Sequence, residues 1–158
     1  MMKNKIKKIE SLKKLVSQLK AKGKKIVFTN GCFDILHFGH IYYLSRAKKK
    51  GDILIIAVNS DKSIRKIKGP TRPVQNQKDR TGILSALEFV DFITIFNEAN
   101  PYSVIKDLKP NVLVKGADWK KKDIIGADIV RKYGGRVCTI KFLPNRSTTR
   151  TLSKIKHL

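Results

Sequence analysis

The sequence is poor in cysteine, in acidic residues and in long apolar runs. It contains only two cysteines, Cys32 and Cys138, among 158 residues, so a disulfide framework is excluded as the basis of the fold and reduced thiols are expected. No run approaches the roughly 18 apolar residues that a membrane-spanning helix needs. The lysine-studded segment 1–25 also lacks the apolar core of a signal peptide. These absences favour a cytoplasmic protein, and we expect no membrane partner.

The shortage of acidic residues leaves a large positive charge. Twelve Asp and Glu residues oppose 35 Lys and Arg residues, which gives a formal net charge of +23. Such a charge is typical of nucleic-acid-binding proteins, so a basic nucleic-acid-binding module is one hypothesis. The lysines are spread over every predicted helix, however, without a basic stripe interleaved with aromatic residues. We therefore interpret them as solvated surface whose field also attracts anionic nucleotides and sugar phosphates, and we expect no specific nucleic-acid partner.

Apolar runs alternate with segments of helical periodicity. In chain order, the pattern predicts an amphipathic helix over 5–19 ended by Gly23, a strand over 26–28, a helix over 41–50, a strand over 52–59, a short helix over 59–67, a helix over 79–87, a strand over 90–96, a helix over 101–109, a strand over 112–114, a helix over 124–133, a strand over 136–142 and a last helix after Ser147. This order predicts an α/β fold, a doubly wound, Rossmann-like parallel sheet of about five strands with flanking helices. We expect one domain over 1–158, with an N-terminal helix in 1–23 and the core in 24–158.

The segment Thr29-Asn30-Gly31-Cys32-Phe33-Asp34-Ile35-Leu36-His37-Phe38-Gly39-His40 joins the first strand to the following helix. Gly31 allows the backbone to approach a ligand closely. The free N–H groups and the positive dipole end of the helix are expected to form an anion site. His37 and His40, three positions apart, should share one face of the first helical turn. The glycine-containing turn between strand and helix therefore favours phosphate binding.

A zinc site is the alternative interpretation of the same segment. Cys32 and the two histidines are residue types that ligate zinc, and Asp34 is the one nearby candidate for a fourth ligand. The simplest alternative is that the two histidines are solvated or packed against other side chains and bind nothing.

Polar side chains follow the predicted strands, at the ends where open α/β sheets bind ligands. Asn59 and Asp61 follow the second strand, and the segment Lys115-Gly116-Ala117-Asp118-Trp119 follows the fourth. Beyond the fifth strand lies Asn145-Arg146-Ser147-Thr148-Thr149, in which Ser147 is a suitable N-cap for another anion-binding helix. These segments are expected to meet at one edge of the sheet.

Two further features have an ordinary and a functional interpretation. Lys68 and Arg72 project charge from a loop that its prolines make stiff, and a solvated turn is the ordinary explanation of them. Trp119 is the only tryptophan. It is expected either to pack in the core or to border a base or a sugar.

Taken in order, several motifs resemble one family. They are TNGCFDILHFGH, LIIAVNSD, KGPTRPV, the helix that begins near Arg80, LKPNVLVKGADW and RSTT. The first contains the HxGH signature of the nucleotidyltransferase superfamily that includes cytidylyltransferases and phosphopantetheine adenylyltransferase. The combination of the others resembles the heptose 1-phosphate adenylyltransferase branch, and the resemblance extends from about Lys24 to Ile155.

The resemblance implies transfer of AMP from ATP to D-glycero-β-D-manno-heptose 1-phosphate, giving ADP-heptose and pyrophosphate. ATP with Mg²⁺ would be the nucleotide substrate, and no protein-bound metal site is required. It assigns catalysis to His37, His40, Lys68 and Arg72. The residues expected to bind the ligands are Thr29, Asn30, Gly31, Cys32, Phe33, Asp34, Gly39, Asn59, Asp61, Arg80, Lys115, Gly116, Asp118, Trp119, Arg146, Ser147, Thr148 and Thr149.

The resemblance also implies partners and leaves alternatives. Many relatives carry a fused sugar kinase, so here a separate kinase is expected to supply the sugar 1-phosphate, and a homodimer is expected by analogy. A cytidylyltransferase acting on glycerol 3-phosphate or a similar small phosphate shares the HxGH, STT and DW features. A GTP-using heptose enzyme also remains open, because base choice depends on backbone contacts.

Overall fold

Five parallel strands form the centre of the computed structural model, which describes residues 5–120, 123–141, 143, 148, 152 and 153. The elements in chain order are α1 (Ile9–Ala21), β1 (Ile26–Gly31), α2 (Phe38–Lys48), β2 (Ile53–Asn59), α3 (Asp61–Lys68), α4 (Gln77–Ala86), β3 (Phe92–Phe96), α5 (Tyr102–Leu108), β4 (Val112–Gly116), α6 (Ala127–Lys132) and β5 (Arg136–Ile140). The strand order is β3-β2-β1-β4-β5. The predicted parallel α/β sheet is therefore confirmed.

Both faces of the sheet are covered because neighbouring strand residues point to opposite sides. On one face, Phe28 and Ile55 pack in a core with apolar residues of α1, α5 and α6. On the other, Val27, Leu54 and Ile56 pack with residues of α2 and α4. Burial on both sides explains why β2 is a continuous apolar run rather than an alternating one.

The strand order reverses at β1, and this reversal opens a crevice. From β1 the chain builds outward through β2 to β3, then returns to place β4 on the other side of β1. Pairing of β1 with β2 continues to Gly31, whereas pairing of β1 with β4 is limited to Val27 with Val112 and Phe28 with Leu113. The carboxyl ends of β1 and β4 are thus the two walls of the site at which ligands bind in such sheets.

Several predicted boundaries are wrong. The first helix begins at Ile9 rather than at residue 5, because Ile6 instead forms a parallel bridge with Ile93 of β3. The second helix begins at Phe38, three residues before its predicted start at 41. Helix α6 begins at Ala127 rather than at residue 124, since Gly126 adopts a left-handed conformation with φ of +83°.

At the carboxyl end, β5 ends at Ile140, two residues before its predicted end at 142. Residues 144–147 lie outside the described residues, so the start of the last helix stays a prediction. Among the helices in the described part of the chain, none combines the length and the apolar character that crossing a bilayer requires.

Candidate active site

A cavity lies at the carboxyl ends of β1 and β4, in the crevice between them. Besides Tyr43, it is lined by thirteen of the predicted site residues: Asn30, Gly31, Cys32, Phe33, Asp34, His40, Lys68, Arg72, Lys115, Gly116, Asp118, Trp119 and Thr148. These residues come from the β1–α2 segment, α3 and its following loop, the end of β4 and position 148. The fold therefore brings together, at one edge of the sheet, segments that are far apart in the sequence.

His37 and His40 lie at the start of α2 with their ring centroids 4.0 Å apart, as their spacing predicted. His37 is the N-cap residue, and its Nδ1 accepts the backbone N–H of Gly39 at 3.1 Å. The Nδ1 of His40 accepts the backbone N–H of His37 at 3.4 Å. Because an accepting Nδ1 carries no proton, each neutral ring has its proton on Nε2.

This capping changes the expected anion site. The prediction that the N–H groups of the helix start are free is wrong for Gly39, whose N–H is bonded to an imidazole. The positive end of the helix dipole instead polarises the capping rings, because each Nδ1 is hydrogen-bonded to it. The helix dipole therefore strengthens the Nε2–H of each ring as a hydrogen-bond donor.

His40 is held in its neutral form. Burial lowers the pKa of His40 to about 4, and the neighbouring His37 and Lys68 add smaller contributions in the same direction. Since this value is far below 7, the ring is uncharged near neutrality and retains one donor, on Nε2. His40 is therefore suited to donate a hydrogen bond to a phosphate oxygen without first titrating.

Phe33, four positions before His37, has an unusual backbone conformation. Its φ is +47°, in the left-handed region that residues with a Cβ seldom occupy. The conformation turns its buried ring back over Gly31, where an added Cβ would lie only 3.0 Å from the ring. The same ring meets His40 edge-on, with centroids 5.5 Å apart. The packing of Phe33 thus favours glycine at position 31, and the predicted close approach of a ligand there stays a prediction.

Asp34 ties the β1–α2 segment to the proline-containing loop. Its Oδ1 accepts the backbone N–H groups of Val74 and Gln75 at 2.8 and 2.9 Å. Its Oδ2 lies 2.5 Å from Arg72 Nη2, in an ion pair that is not well directed as a hydrogen bond. The carboxylate is almost fully buried. Asp34 therefore holds Arg72 at the edge of the cavity.

Arg80 is buried, and its guanidinium forms hydrogen bonds with protein oxygens. Its guanidinium donates to the carbonyl oxygens of Cys32, Asn59 and Gln75 and to the carboxylate of Asp61. Asn59 donates to Ser63 Oγ, and Asp61 also accepts the backbone N–H of Gln77. Arg80, Asn59 and Asp61 are absent from the described lining of the cavity. Their predicted roles in ligand binding stay predictions, and the hydrogen bond from Arg80 to the Cys32 carbonyl connects them to a residue that lines the cavity.

Lys115, on β4, places its ammonium group at the wall of the cavity opposite β1. Burial lowers the pKa of Lys115 to about 8, although Asp118 and Cys32 act in the other direction. Its Nζ lies 3.4 Å from the carbonyl oxygen of Asn30 and 5.8 Å from the centre of the Trp119 ring. Trp119 is 44% exposed and lines the cavity, so it does not pack in the core, and its contact with a base or a sugar stays a prediction.

Tyr43 is the cavity residue that sequence analysis missed. Its hydroxyl donates to the carbonyl of Val114 at 3.0 Å and lies 2.8 Å from Thr29 Oγ1. It follows His40 by three positions, so helical spacing from the histidine was the signal that pointed to it. Through these contacts Tyr43 joins α2 to β1 and β4 at the cavity.

The remaining predicted residues are placed as follows. Thr29 is buried against Tyr43, and Gly39 is buried in the first turn of α2. Thr148 lies within 3.4 Å of the Ile35 carbonyl through its hydroxyl. Arg146, Ser147 and Thr149 lie outside the described residues, so their roles stay predictions.

The zinc interpretation finds no matching geometry in the described part of the chain. There, no group of three or more His, Cys, Asp or Glu side chains is arranged to hold a metal ion. Cys32 Sγ is directed toward Asn59 Oδ1 at 3.9 Å, and burial raises the pKa of its thiol. Asp34, the candidate fourth ligand, is instead paired with Arg72.

Comparison with known proteins agrees with this geometry. The profile of a family described as cytidylyltransferase-like matches residues 28–151. The chain is 48% identical over 151 residues to the Bifunctional protein HldE of Geobacter metallireducens and 53% identical over 150 residues to that of Campylobacter jejuni subsp. doylei. These alignments cover 96% and 95% of this chain but 31% and 32% of the relatives. The chain thus spans about a third of the length of these curated relatives.

Two solved structures are also similar. A lipopolysaccharide core biosynthesis protein from Thermoplasma volcanium GSS1 has a TM-score of 0.60 and 30% identity, covering 77% of this chain and 98% of its own. A pantoate-beta-alanine ligase from Francisella tularensis, complexed with β-γ ATP and β-alanine, has a TM-score of 0.64 at 19% identity, covering 97% of this chain and 78% of its own. At that identity the second likeness shows the fold alone.

Proposed function

Because the chain belongs to the cytidylyltransferase-like family of nucleotidyltransferases, we propose that it transfers AMP from ATP to a sugar 1-phosphate. D-glycero-β-D-manno-heptose 1-phosphate is the acceptor that its KGPTRPV and VLVKGADW segments favour. The observation that carries the proposal is one cavity in which the neutral donor His40 stands among Lys68, Arg72 and Lys115. Such a site suits two anionic substrates that must meet.

The chemistry requires alignment and charge stabilisation rather than a base. An oxygen of the sugar phosphate attacks the α-phosphorus of ATP, and the bond to the β-phosphate oxygen breaks as pyrophosphate leaves. The attacking oxygen is already anionic, so no proton has to be removed. Lys68 and Arg72 would hold the acceptor phosphate, and the Nε2–H groups of His37 and His40 would meet the charge that grows on the nucleotide phosphates.

Two buried polar atoms support binding of a polar ligand here. Asn30 Oδ1 and Arg72 Nε have no hydrogen-bond partner among the described residues, although both residues line the cavity. Buried polar groups are usually paired, so a bound substrate is a reasonable partner for each. Asn30 is on β1 and Arg72 is on the loop after α3, and a ligand between them would contact both sides.

Mg²⁺ would accompany ATP and neutralise part of its charge. The ion prefers oxygen ligands, and it is commonly held by one or two carboxylates together with substrate phosphates. Of the two carboxylates in the described lining, Asp34 is bonded to Arg72 and two backbone N–H groups, which leaves Asp118. The donor set thus fits an ion carried mainly by the nucleotide.

The proposal implies how the acceptor arises. A kinase that phosphorylates the anomeric oxygen of the sugar must supply the acceptor, since the reaction begins with a phosphate already in place. The separate kinase, the homodimer and the cytoplasmic location stay predictions.

The test is a measurement of pyrophosphate release with each of the four nucleoside triphosphates against a panel of sugar phosphates and glycerol 3-phosphate. We expect ATP with heptose 1-phosphate to give the largest kcat/KM. If CTP with glycerol 3-phosphate gives the largest value, the heptose assignment is wrong and the cytidylyltransferase alternative holds. If no pair releases pyrophosphate, nucleotidyl transfer itself is contradicted.

Lys115 should make nucleotide binding dependent on pH. Its pKa of about 8 means that the ammonium is present below pH 8 and is lost above it. If only the charged form binds the anion, the dissociation constant for ATP should rise about tenfold per pH unit above that value. Calorimetric titrations from pH 7 to 9.5 measure this dependence.

The matched variants are Lys115→Met and Lys20→Met. Burial also lowers the pKa of Lys20, but its Nζ donates to the carbonyl oxygens of Leu108 and Lys109, outside the cavity lining. We expect Lys115→Met to bind ATP weakly at every pH, and Lys20→Met to keep the wild-type profile. A wild-type affinity that does not change between pH 7 and 9.5 would contradict a role for the Lys115 charge.

A further inference from the structure

We propose that Arg80 is a positioning residue for His40, acting through the Cys32 carbonyl and the ring of Phe33. Arg80 holds the peptide that precedes Phe33, Phe33 stays in its left-handed conformation, and its ring covers one edge of the His40 imidazole. The chain of contacts is present whether or not ATP is the substrate. Its importance for the reaction rests on the proposed function, in which His40 is a donor.

The contacts of Arg80 fix its position from several sides. Nη1 lies 2.5 Å from the Cys32 carbonyl oxygen, Nη2 lies 2.8 Å from the Asn59 carbonyl oxygen and 2.7 Å from Asp61 Oδ1, and Nε lies 3.0 Å from the Gln75 carbonyl oxygen. The residue is 1% exposed. Four N–H donors are thus bonded to protein oxygens on three segments, which makes Arg80 a poor candidate for direct contact with substrate and a good one for holding those segments together.

The Cys32 carbonyl controls the conformation of Phe33. This carbonyl and the Phe33 N–H belong to one planar peptide group, so fixing the carbonyl fixes the plane from which φ of Phe33 is measured. That φ is +47°, a conformation that a residue with a Cβ retains only when surrounding contacts impose it. The charged hydrogen bond from Arg80 is such a contact.

The conformation of Phe33 in turn shields His40. The rings meet edge to face with centroids 5.5 Å apart and an interplanar angle of 60°. Phe33 is 6% exposed, so its ring displaces water from this side of the imidazole. The titratable or charged groups that face His40 are His37, which caps its helix, and Lys68 on α3. Those that line the same cavity are Cys32, Asp34, Tyr43, Arg72, Lys115 and Asp118.

Loss of Arg80 should therefore change the protonation of His40. A Phe33 residue that relaxes to negative φ carries its ring away, and water then reaches the imidazole. Burial is the largest cause of the low pKa of His40, about 4, so rehydration should move that pKa upward toward its ordinary value. A protonated His40 carries a hydrogen on Nδ1, so this atom can no longer accept the His37 N–H. Loss of that hydrogen bond would disturb the start of α2 as well.

The experiment is an NMR titration of the histidine Hε1 resonances from pH 3.5 to 8 in the full chain. The protein has three histidines, which His37→Gln and His40→Gln variants assign. We expect His40 to titrate near pH 4 in the wild type and at least about one pH unit higher in Arg80→Lys. Lysine keeps a positive charge beside Asp61 but lacks the planar fork that bonds all four oxygens.

Two further variants make the outcome decisive. Phe33→Gly accepts the same φ but removes the ring, and it should raise the His40 pKa as Arg80→Lys does. Arg136→Lys changes an exposed arginine that donates to the Lys50 carbonyl and should leave the titration unchanged. A His40 pKa that stays near 4 in either Arg80→Lys or Phe33→Gly overturns the proposal. So does an Arg80→Lys protein that no longer melts cooperatively, because Arg80 would then serve the fold as a whole.

Kinetics separate this proposal from the proposed function. In Arg80→Lys the acid limb of kcat/KM should move upward by the same shift that NMR measures, which a purely structural role would not produce. An unchanged acid limb overturns the link between Arg80 and catalysis. Failure of every substrate pair to release pyrophosphate would contradict the proposed function and leave the NMR result intact.

Discussion

Replacement of His40 by alanine should lower kcat by about 10²–10³-fold, the usual loss when a preorganised donor at a developing anion is removed. In the proposed reaction, the Nε2–H of His40 at the start of α2 would meet the charge that grows as the bond to pyrophosphate breaks. A donor that is used more in the transition state than in the ground state affects kcat more than KM. Steady-state kinetics with saturating ATP and acceptor measure both parameters.

The controls distinguish a catalytic histidine from a structural one. His37→Ala should behave similarly, with a larger effect on nucleotide binding, and loss of its N-cap should also cost about 0.5–2 kcal/mol of stability. Thermal melting therefore accompanies each assay. A His40→Ala protein that melts normally and retains near-normal kcat would show that the mechanism proposed for this site is wrong.

Asp34→Asn should lower the free energy of unfolding by about 2–4 kcal/mol, because it breaks a buried charge pair and leaves Arg72 without its carboxylate. The asparagine oxygen can still accept the N–H groups of Val74 and Gln75. Its amide NH₂ would face the Arg72 guanidinium, and because both groups are donors they cannot form a hydrogen bond with each other. The loop after α3 should then lose its attachment. We expect the KM for the acceptor to rise at least about tenfold, since a charged contact of that kind contributes about 1.5–3 kcal/mol.

Urea denaturation and steady-state kinetics test both parts of this prediction. The matched control is Asp107→Asn, which breaks the exposed pair between Asp107 and Lys13. Screening by solvent should limit its effect to less than about 1 kcal/mol, with kinetics unchanged. Equal destabilisation by the two substitutions would contradict the assignment of Asp34 as the residue that holds the loop.

The sequence was informative about the sheet because its strands are buried on both faces. The continuous apolar run of β2 needs no partner to be recognised, and its neighbours follow from the alternation of strands and helices. Boundaries were less predictable. Ile6 fits the helical spacing of α1 as well as any residue, and only a partner on β3 decides that it forms a bridge instead.

The candidate site was predictable as a set of residues but not as a set of contacts. Motif resemblance selected most of the residues that line the cavity, whereas residue type cannot say whether a charged group faces substrate or protein. Arg80 and Asp34 are examples, since protein atoms 48 and 40 positions away in the sequence form hydrogen bonds with them. The left-handed Phe33 was also beyond sequence reasoning, because phenylalanine has no preference for that conformation.

The short pairing between β1 and β4 also concerns how the chain folds. Strands β1, β2 and β3 are consecutive in the chain and are neighbours in the sheet. Strand β4 pairs with β1 only after a loop of about 85 residues closes, which is the separation between Ile26 and Asn111. Contacts across such separations form at a greater entropic cost than local ones. Because the cavity has one wall on β1 and the other on β4, it does not exist in the first half of the chain. Competence to bind a ligand is thus a property of the completed sheet, acquired when its most distant pair of neighbouring strands joins.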